Sequence, residues 1–398
     1  MQKKYLPALL LLSLISTCLE VDISVPGFPQ IARFFNVSEG TIQLTIAYNF
    51  FGFCFGALLY GPLSESFGRR TMMLLGNTIL LAGALGCVFA YSINFLLLSR
   101  LIQGIGASTS VVLVFAMIAD AYEGSAAMKL IGLMNASLAS LMAIAPIFGG
   151  FINQAIGWRG NYGFVALMCA VTWILLFFFL PETKRSLEKF HIKHIVRDYA
   201  RLVSHGEFIS SALVPSLLFA AYMSYIAASS FLYMGTFQLS VIQFVIYQAI
   251  IVAAFAIPSM LAAKIITRVG PLNTVKIGIS FCCVSASTLL ILGSLNSLTP
   301  YTNTAFMCLF SLGFAMLYPV VFSHSLSIFP TLHGTASSII MAIRALLVSG
   351  FTALTGFLYN SEPIMVAIPI SLGIFLSTAF VFKLFLSGKL SAQPAVGG

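Results

Sequence analysis

The sequence predicts an all-helical polytopic membrane protein with twelve transmembrane helices in two halves of six. Three observations predict this fold class. Of the 398 residues, 59% are hydrophobic and 8% are charged, against about 25% charged in an average soluble domain. Twelve apolar stretches are long enough to cross a bilayer, which takes about 20 helical residues. One long polar connection, 181–207, lies near the middle of the chain. Together they exclude a soluble enzyme, a disordered chain and a disulfide-stabilised scaffold.

The twelve spans follow one another through short connections. Each is a continuous apolar run, unlike the alternating segments of about ten residues found in membrane barrels. The chain length leaves about 33 residues per span and connection, so no soluble domain fits between them. The predicted spans are 5–25, 41–60, 71–91, 94–118, 129–152, 161–180, 208–232, 239–262, 273–294, 302–326, 333–358 and 364–387.

The first span has some features of a secretory signal, because Lys3 and Lys4 precede an apolar run. That run is long, however, and it carries Glu20 and Asp22 near its end. No small-x-small cleavage site precedes the second span. We therefore expect the first helix to remain in the mature protein.

The cations predict the orientation, since positive residues stay on the cytoplasmic side. In the predicted topology, Arg33 and Arg159 lie on one face of the membrane and most other cations on the opposite face. Both termini are therefore expected in the cytoplasm of a cell whose inner membrane holds the protein. The net charge of +9 is explained by topology, and it gives no reason to expect nucleic-acid binding. The cations on the predicted inner face are Lys3, Lys4, Arg69, Arg70, Lys129, Lys184, Arg185, Lys189, Lys193, Arg197, Arg201, Lys264, Arg268, Lys276, Lys383 and Lys389.

A weak internal repeat supports the division into halves. The segment 61–70 after the second span has a counterpart in 263–272 after the eighth span. We predict an N-terminal half at 1–180, a basic cytoplasmic linker at 181–207, a C-terminal half at 208–390 and a short tail at 391–398. Many secondary transporters have this architecture, with their site at the midplane between the halves.

The segment 43–75 resembles spans 2 and 3 of the major facilitator superfamily. The drug:proton antiporter branch, typified by bicyclomycin and chloramphenicol resistance transporters, is the most similar. The resemblance is strong across the N-terminal half and implies a proton-coupled efflux antiporter that exports small amphipathic molecules. Further matching motifs are 21–29, 100–107, 120–122, 145–150, 157–159, 180–183 and, in the C-terminal half, 334–337.

The resemblance also implies which residues control the conformational change. In the family, the loop between spans 2 and 3 holds one access state closed, and Arg70 with Asp120 would be the ion pair carried over. In span 5, a glycine and proline motif would form a hinge and a leak barrier. Four positions depart from the family pattern: Glu65 replaces Asp, Ser66 replaces Arg, and Leu141 and Ala145 each replace Gly. The gating candidates are Gly61, Glu65, Gly68, Arg69, Arg70, Asp120, Pro146, Gly149 and Gly150.

Four charges fall inside predicted spans, where each is costly unless it is paired or hydrated. At 1.5 Å per residue, counted back from Phe28 near the outer membrane surface, Glu20 lies about 12 Å and Asp22 about 9 Å deep, and Arg100 lies about 9 Å into span 4. Helical geometry places Glu20 on a polar face, whereas the resemblance assigns proton coupling to Asp22. Both stay candidates, together with Arg100. A structural Asp22–Arg100 ion pair is the alternative.

The fourth charge is Arg344, about 16 Å into span 11 and near the midplane. It indicates either an anionic group on the substrate or a structural pair, and His324 is expected nearby. In span 7, Tyr222, Tyr225, Ser229 and Tyr233 form one helical stripe that could line a cavity or simply pack. The substrate-binding candidates are Tyr48, Asn49, Gln103, Tyr222, Tyr225, Ser229, Tyr247, Tyr318, His324 and Arg344.

We find no phosphate loop, nucleophile motif or metal-ligand spacing in the sequence, and its seven cysteines are scattered. ATP-driven pumping and membrane-enzyme chemistry therefore lack a site, and no cofactor or metal is expected. The expected partners are a small-molecule substrate, protons and the lipid bilayer, with a monomer as the functional unit. Three functions compete with drug efflux: export of an anionic metabolite such as a polycarboxylate siderophore, uptake by symport, and a channel or receptor.

Overall fold

The computed structural model describes residues 5–184, 187, 191–329 and 332–386. Side chains at 125, 128, 135, 136, 138–140, 142–144 and 333 are not part of that description. The predicted tail 391–398 and the cations Lys3, Lys4, Arg185, Lys189 and Lys389 lie outside the described residues. Throughout these ranges the regular structure is helical, which confirms the predicted fold class.

Eleven helical segments among the described residues are long and apolar enough to cross a membrane. The fifth predicted span corresponds to a helix of 33 residues, whose length of about 50 Å also suffices. The helices are α1 (Leu6–Asp22), α2 (Phe28–Phe35), α3 (Glu39–Phe67), α4 (Arg69–Val88), α5 (Ile93–Ala121), α6 (Gly124–Ile156), α7 (Trp158–Phe179), α8 (Ile192–Ser204), α9 (Gly206–Ser230), α10 (Val241–Val269), α11 (Pro271–Ser294), α12 (Pro300–Ser327), α13 (His333–Leu358) and α14 (Pro363–Leu386).

The structure departs from the prediction in the first span and in the linker. The first continues beyond α1 through a 3-10 turn at Val25–Gly27 into α2, giving 30 residues in all. Pro26 and Pro29 account for the break, because proline lacks the N–H that an α-helix requires. The predicted linker also contains a helix, α8, which lies between the two groups of spans.

The internal repeat is visible at two helix boundaries. Gly68 separates α3 from α4 with φ 91°, and Gly270 separates α10 from α11 with φ 84°. Both values lie in the region that favours glycine, which lacks a Cβ. The same sharp reversal therefore joins the second and third span of each group of six.

Close helix packing within the N-terminal group depends on small residues. A Cβ at Gly104 of α5 would overlap the carbonyl oxygen of Asn49 in α3, and one at Gly52 would overlap the carbonyl oxygen of Leu101. Small residues allow this approach of two backbones inside a membrane. The contact also fixes Asn49 beside α5, where the charged groups described below lie.

Replacing Gly104 with alanine is therefore expected to destabilise the protein by about 1–3 kcal/mol, because the added methyl group overpacks the α3–α5 contact. Thermal unfolding of the purified protein measures the effect. Gly163→Ala in α7 is the matched control, since no atom lies within 4 Å of its added Cβ. That change should be neutral or stabilising by up to about 1 kcal/mol. Equal stability of the two variants would contradict the packing.

The two groups of helices meet along α3 and α13. We call the end of the spans near α8 the linker end and the other the opposite end. Gly40 packs on Gly356 at the opposite end, and a Cβ at Gly61 would lie 2.8 Å from Ser338 Oγ at the linker end. Phe28 also contacts Phe231 across the opposite end, with ring centroids 6.3 Å apart. The two groups of helices therefore touch at both ends in this structure.

The helix α8 is anchored to the N-terminal group by one hydrogen bond. Tyr199 donates its hydroxyl to the carbonyl oxygen of Leu58 over 2.8 Å. Burial raises the pKa of Tyr199 to about 12, so its hydroxyl stays a donor at physiological pH. This bond ties the connection between the two groups to the linker end of α3.

Candidate functional site

A buried charged network joins α1, α3 and α5. Arg100 donates from Nη1 to Glu20 Oε2 over 3.4 Å and to the Glu20 carbonyl oxygen over 3.2 Å. Asn49 donates from Nδ2 to both carboxylate oxygens of Glu20, each at 3.1 Å. All three side chains are nearly or completely inaccessible to solvent. A buried ion pair of this kind requires such added hydrogen bonds to offset the loss of hydration.

The amide of Gln103 completes the network. Its Oε1 accepts from Arg100 Nη1 over 2.7 Å and from the thiol of Cys87 over 3.5 Å. Sequence analysis proposed Asn49 and Gln103 as substrate contacts, and the structure places both on the charged pair. Arg100 Nε and Nη2 have no hydrogen-bond partner among the described residues, so the guanidinium keeps donors for a second acceptor.

Asp22 lies near this network but outside its hydrogen bonds. The side chain is 5% exposed, and its Oδ1 has no hydrogen-bond partner among the described residues. The charge of Arg100 nevertheless acts on both Asp22 and Glu20. The ion pair made by Arg100 is therefore with Glu20, and the alternative of an Asp22–Arg100 pair is not the arrangement that the structure has.

The helix of span 5, α6, positions the end of α1 that carries Glu20 and Asp22. A Cβ at Gly149 would overlap the carbonyl oxygen of Ile23, the residue after Asp22. On the other side of α6, a Cβ at Gly150 would lie 2.6 Å from Val245 Cγ2 in α10. Pro146 is buried one turn earlier in the same helix. The glycine pair of α6 thus packs against both groups of helices, as a hinge between them would.

The loop between α3 and α4 forms a second charged network at the linker end. Arg69 donates from Nε to Asp120 Oδ2 over 2.9 Å and from Nη2 to Glu65 Oε1 over 2.6 Å. Lys184 pairs with the other oxygen of Glu65. The expected Arg70–Asp120 pair is therefore wrong: Arg69 makes this contact, and Arg70 donates to the carbonyl oxygens of Phe177 and Leu180 at the C-terminal end of α7.

Glu182 is a residue of this network that sequence analysis did not select. Its carboxylate accepts the backbone N–H groups of Arg69 at 3.0 Å and Arg70 at 3.1 Å, at the start of α4. An anion at a helix N-terminus is favoured by the free N–H groups and the helix dipole. The position of this acid, directly after span 6, was the sequence feature that could have identified it. The network joins helix ends within the N-terminal group, whereas Gly61 makes the contact with α13.

Replacing Arg69 with glutamine is expected to lower the stability of the protein by about 1.5–3 kcal/mol, since bonds to two carboxylates are lost. Arg70→Gln is the matched control, because its side chain bonds only to uncharged carbonyl oxygens among the described residues. Thermal unfolding compares the two variants. A larger loss for Arg70→Gln would contradict the assignment of the Asp120 contact to Arg69.

The tyrosine stripe of span 7 belongs mainly to the interior of the C-terminal group. Tyr225 donates to Gln248 Oε1 over 2.7 Å, and Tyr233 bonds to Thr304 Oγ1 over 2.6 Å. Ser229 donates to a carbonyl oxygen of its own helix. Tyr247 packs on Tyr233 with the ring planes tilted by 42° and the centroids 5.5 Å apart. These contacts satisfy the hydroxyls within the protein, as the packing alternative predicts.

Tyr222 differs from the rest of the stripe. It is 7% exposed and lies near enough to Asp22 for the two to interact electrostatically. Tyr222 is on α9 and Asp22 on α1, so the two residues approach each other across the boundary between the two groups of helices. It is the member of the stripe that the structure brings to the intramembrane acids.

Two predicted positions are corrected. Tyr48 is 41% exposed and shares a stripe with Phe51, Phe55 and Leu59, all exposed on the outside of α3. It faces away from Asn49 and is not a cavity residue. His324 pairs with Glu207 at the start of α9, with Nε2 3.3 Å from Oε1. This pair, rather than Arg344, is the charged contact that the structure gives His324.

Arg344 instead contacts Tyr318. Its Nη2 donates to the Tyr318 hydroxyl over 2.8 Å. Its guanidinium also lies 5.2 Å from the ring centroids of Tyr318 and Phe219. Two predicted binding residues are thus brought together, on α12 and α13. Phe219 was not selected from the sequence, because a single phenylalanine in an apolar span carries no distinguishing signal.

Two groups of membrane-spanning helices with buried charges near their boundary define a secondary transporter. The sequence profile of the Major Facilitator Superfamily matches residues 10–353. The chain belongs to this superfamily, and its fold and family are those of membrane transporters.

Curated relatives and solved structures agree with this assignment. The chain is 26% identical over 333 residues to the bicyclomycin resistance protein homolog of Haemophilus influenzae, covering 81% of this chain and 82% of the relative. It is 26% identical over 326 residues to multidrug resistance protein D of Escherichia coli, covering 81% of each. The fold is similar to that of a D-xylose–proton symporter, with TM-score 0.73, 17% identity and coverage of 94% and 97%.

Proposed function

We propose that this protein is a proton-coupled antiporter that exports small amphipathic molecules. Curated relatives named for bicyclomycin and multidrug resistance support export. The observation that carries proton coupling is the buried network of Glu20, Arg100 and Asn49. A carboxylate that can exchange its bond to a cation for a proton is the chemistry that proton antiport requires.

Proton uptake at Glu20 would release Arg100. The ionised carboxylate holds the guanidinium through one oxygen, and protonation of that oxygen removes the negative charge. Arg100 then has its free Nε and Nη2 donors and the unpartnered Oδ1 of Asp22 nearby. A change of partner from Glu20 to Asp22 would pull α1 relative to α5. We assign the proton to Glu20 and the second acceptor to Asp22.

The transport cycle would rock the two groups of helices about this network. At the opposite end the two groups touch through Gly40 with Gly356 and through Phe28 with Phe231. By the charge distribution, that end is external and both termini are cytoplasmic. We further propose a monomer in the cell inner membrane as the functional unit.

Transport by inverted vesicles tests this function. Vesicles from cells that express the protein should accumulate chloramphenicol or bicyclomycin when respiration acidifies their interior, and a protonophore should abolish the accumulation. Vesicles with the empty vector are the control. Uptake that responds in the opposite direction to the proton gradient would indicate symport, and flux that ignores the gradient would indicate a channel. Either result would overturn the proposal.

A further inference from the structure

Arg344 is enclosed by three aromatic rings, which we call with it the Arg344 box. Its guanidinium carbon lies 5.2 Å from the ring centroids of Phe219 and Tyr318 and 6.0 Å from that of Phe322. Tyr318 and Phe322 stack on each other at 5.4 Å. The rings stabilise the cation through their faces, but they do not neutralise its charge.

No carboxylate of the described residues forms an ion pair with Arg344. One nitrogen, Nη2, donates to the Tyr318 hydroxyl, and the buried Nε has no hydrogen-bond partner in the described ranges. Arg100 provides the contrast, since it has Glu20. A cation inside a membrane protein is costly without a counter-charge, so Arg344 has the donors and the charge to receive an anion.

The Arg344 box opens inward rather than toward lipid. The exposed positions Leu346, Gly350 and Phe357 form the outer stripe of α13, and Arg344 lies about 200° around the helix from Leu346. All four members of the box are partly exposed, whereas their neighbours Leu317 and Ala345 are buried. The exposed surface of the box therefore faces a space between helices.

That space lies at the boundary between the two groups of helices. Phe219 of the box packs edge-on against Phe50 of α3, with centroids 6.3 Å apart. The residue before Phe50 is Asn49, which holds Glu20. The Arg344 box is thus linked to Asn49 through one ring contact and one peptide bond, and Asn49 holds the carboxylate assigned to the proton.

We propose that the Arg344 box binds an anionic group of the transported molecule, a carboxylate or a similar oxyanion, while the three rings bind its apolar or aromatic body. This inference rests on the proposed function and deepens it, because it adds small amphipathic anions to the uncharged drugs as a class of transported molecule. The planar guanidinium offers two parallel donors to a carboxylate, a geometry that a lysine cannot provide.

Binding of a matched ligand pair to the purified protein tests the inference. The probes are naphthalene-2-carboxylate and naphthalene-2-carboxamide, which share a ring system and differ in charge. Thermal shift titrations should give a dissociation constant about tenfold or more lower for the carboxylate. Arg344→Gln should remove this preference, and Arg344→Lys should retain part of it.

Arg159→Gln is the matched control. Arg159 also lies over aromatic rings, 4.2 Å from the centroid of Trp158 and 4.4 Å from that of Phe34, but at the opposite end of the protein. Its loss should leave the carboxylate preference intact. Equal affinity of the wild type for both probes, or no binding of either, would overturn the inference, as would a preference that survives Arg344→Gln.

The two proposals fail separately. Proton-driven transport of chloramphenicol, an uncharged molecule, tests the antiporter and does not depend on charge selection. If Arg344→Gln does not fold, the wild-type comparison of the two probes still decides the inference. Arg344→Lys then provides a second measurement of the carboxylate preference, because it keeps the positive charge and removes the planar guanidinium.

Discussion

Proton-driven accumulation of chloramphenicol in inverted vesicles is expected to fall to the empty-vector level when Glu20 is replaced by glutamine. Glutamine cannot ionise, so it can neither hold Arg100 through a full charge nor exchange that charge for a proton. Its amide keeps the size of the side chain and can still accept from Asn49. Binding of chloramphenicol to the purified variant should therefore remain, which separates lost coupling from lost folding.

Asp22→Asn is the matched control for this prediction, because it removes an acid two residues away and leaves the Glu20–Arg100 pair intact. This variant should retain reduced but measurable accumulation. If Asp22→Asn abolished accumulation while Glu20→Gln preserved it, the proton would belong to Asp22, as the family resemblance implies. That result would contradict our assignment.

Replacing Arg100 with glutamine is expected to have the largest effect on stability, a loss of about 3–5 kcal/mol, because a buried carboxylate is left without its cation. Thermal unfolding of the purified variant measures the loss. The Oε1 of Gln103 would also lose Arg100 as a donor and would keep only the thiol of Cys87.

A double replacement provides the sharper comparison. Glu20→Gln combined with Arg100→Gln leaves no unpaired charge at this position and should recover most of the lost stability. Its transport should stay at the empty-vector level, since no ionisable pair remains. A double variant as unstable as Arg100→Gln alone would contradict a direct Glu20–Arg100 interaction.

The spans were predictable because a bilayer admits long apolar helices and few alternatives. The path of the first span beyond Val25 was not, since Pro26 and Pro29 break the helix without ending the span. The helix α8 was missed because the predicted linker was judged from its charge. Whether an amphipathic segment of that length forms a stable helix depends on the surface against which it packs.

Which face of a span points inward was harder to predict, because lipid is as apolar as the protein interior. Tyr48 was selected as a cavity residue for its hydroxyl, yet it lies on the exposed stripe of α3. Asn49 was selected correctly as an inward polar group. An amide is far more costly in hydrocarbon than a tyrosine, whose ring is largely apolar.

Pairings between distant segments could be predicted only in part. The polar stripe of α1 favoured Glu20, and the structure places that residue on Arg100. A local feature explains why Arg69, rather than the expected Arg70, contacts Asp120. Their side chains leave α4 about 100° apart, and the turn at Gly68, with φ 91°, decides which of them meets Asp120. The sequence predicts the glycine there but not its dihedral angles.

Substrate-induced proton movement through Glu20 tests the central claim most directly. Inverted vesicles are first acidified inside by respiration, and their internal pH is followed with a fluorescent dye while chloramphenicol is added. Wild-type vesicles should become more alkaline inside as the substrate enters, and Glu20→Gln vesicles should show no change. Acidification on substrate entry, or an equal alkaline response from Glu20→Gln, would contradict antiport through this carboxylate.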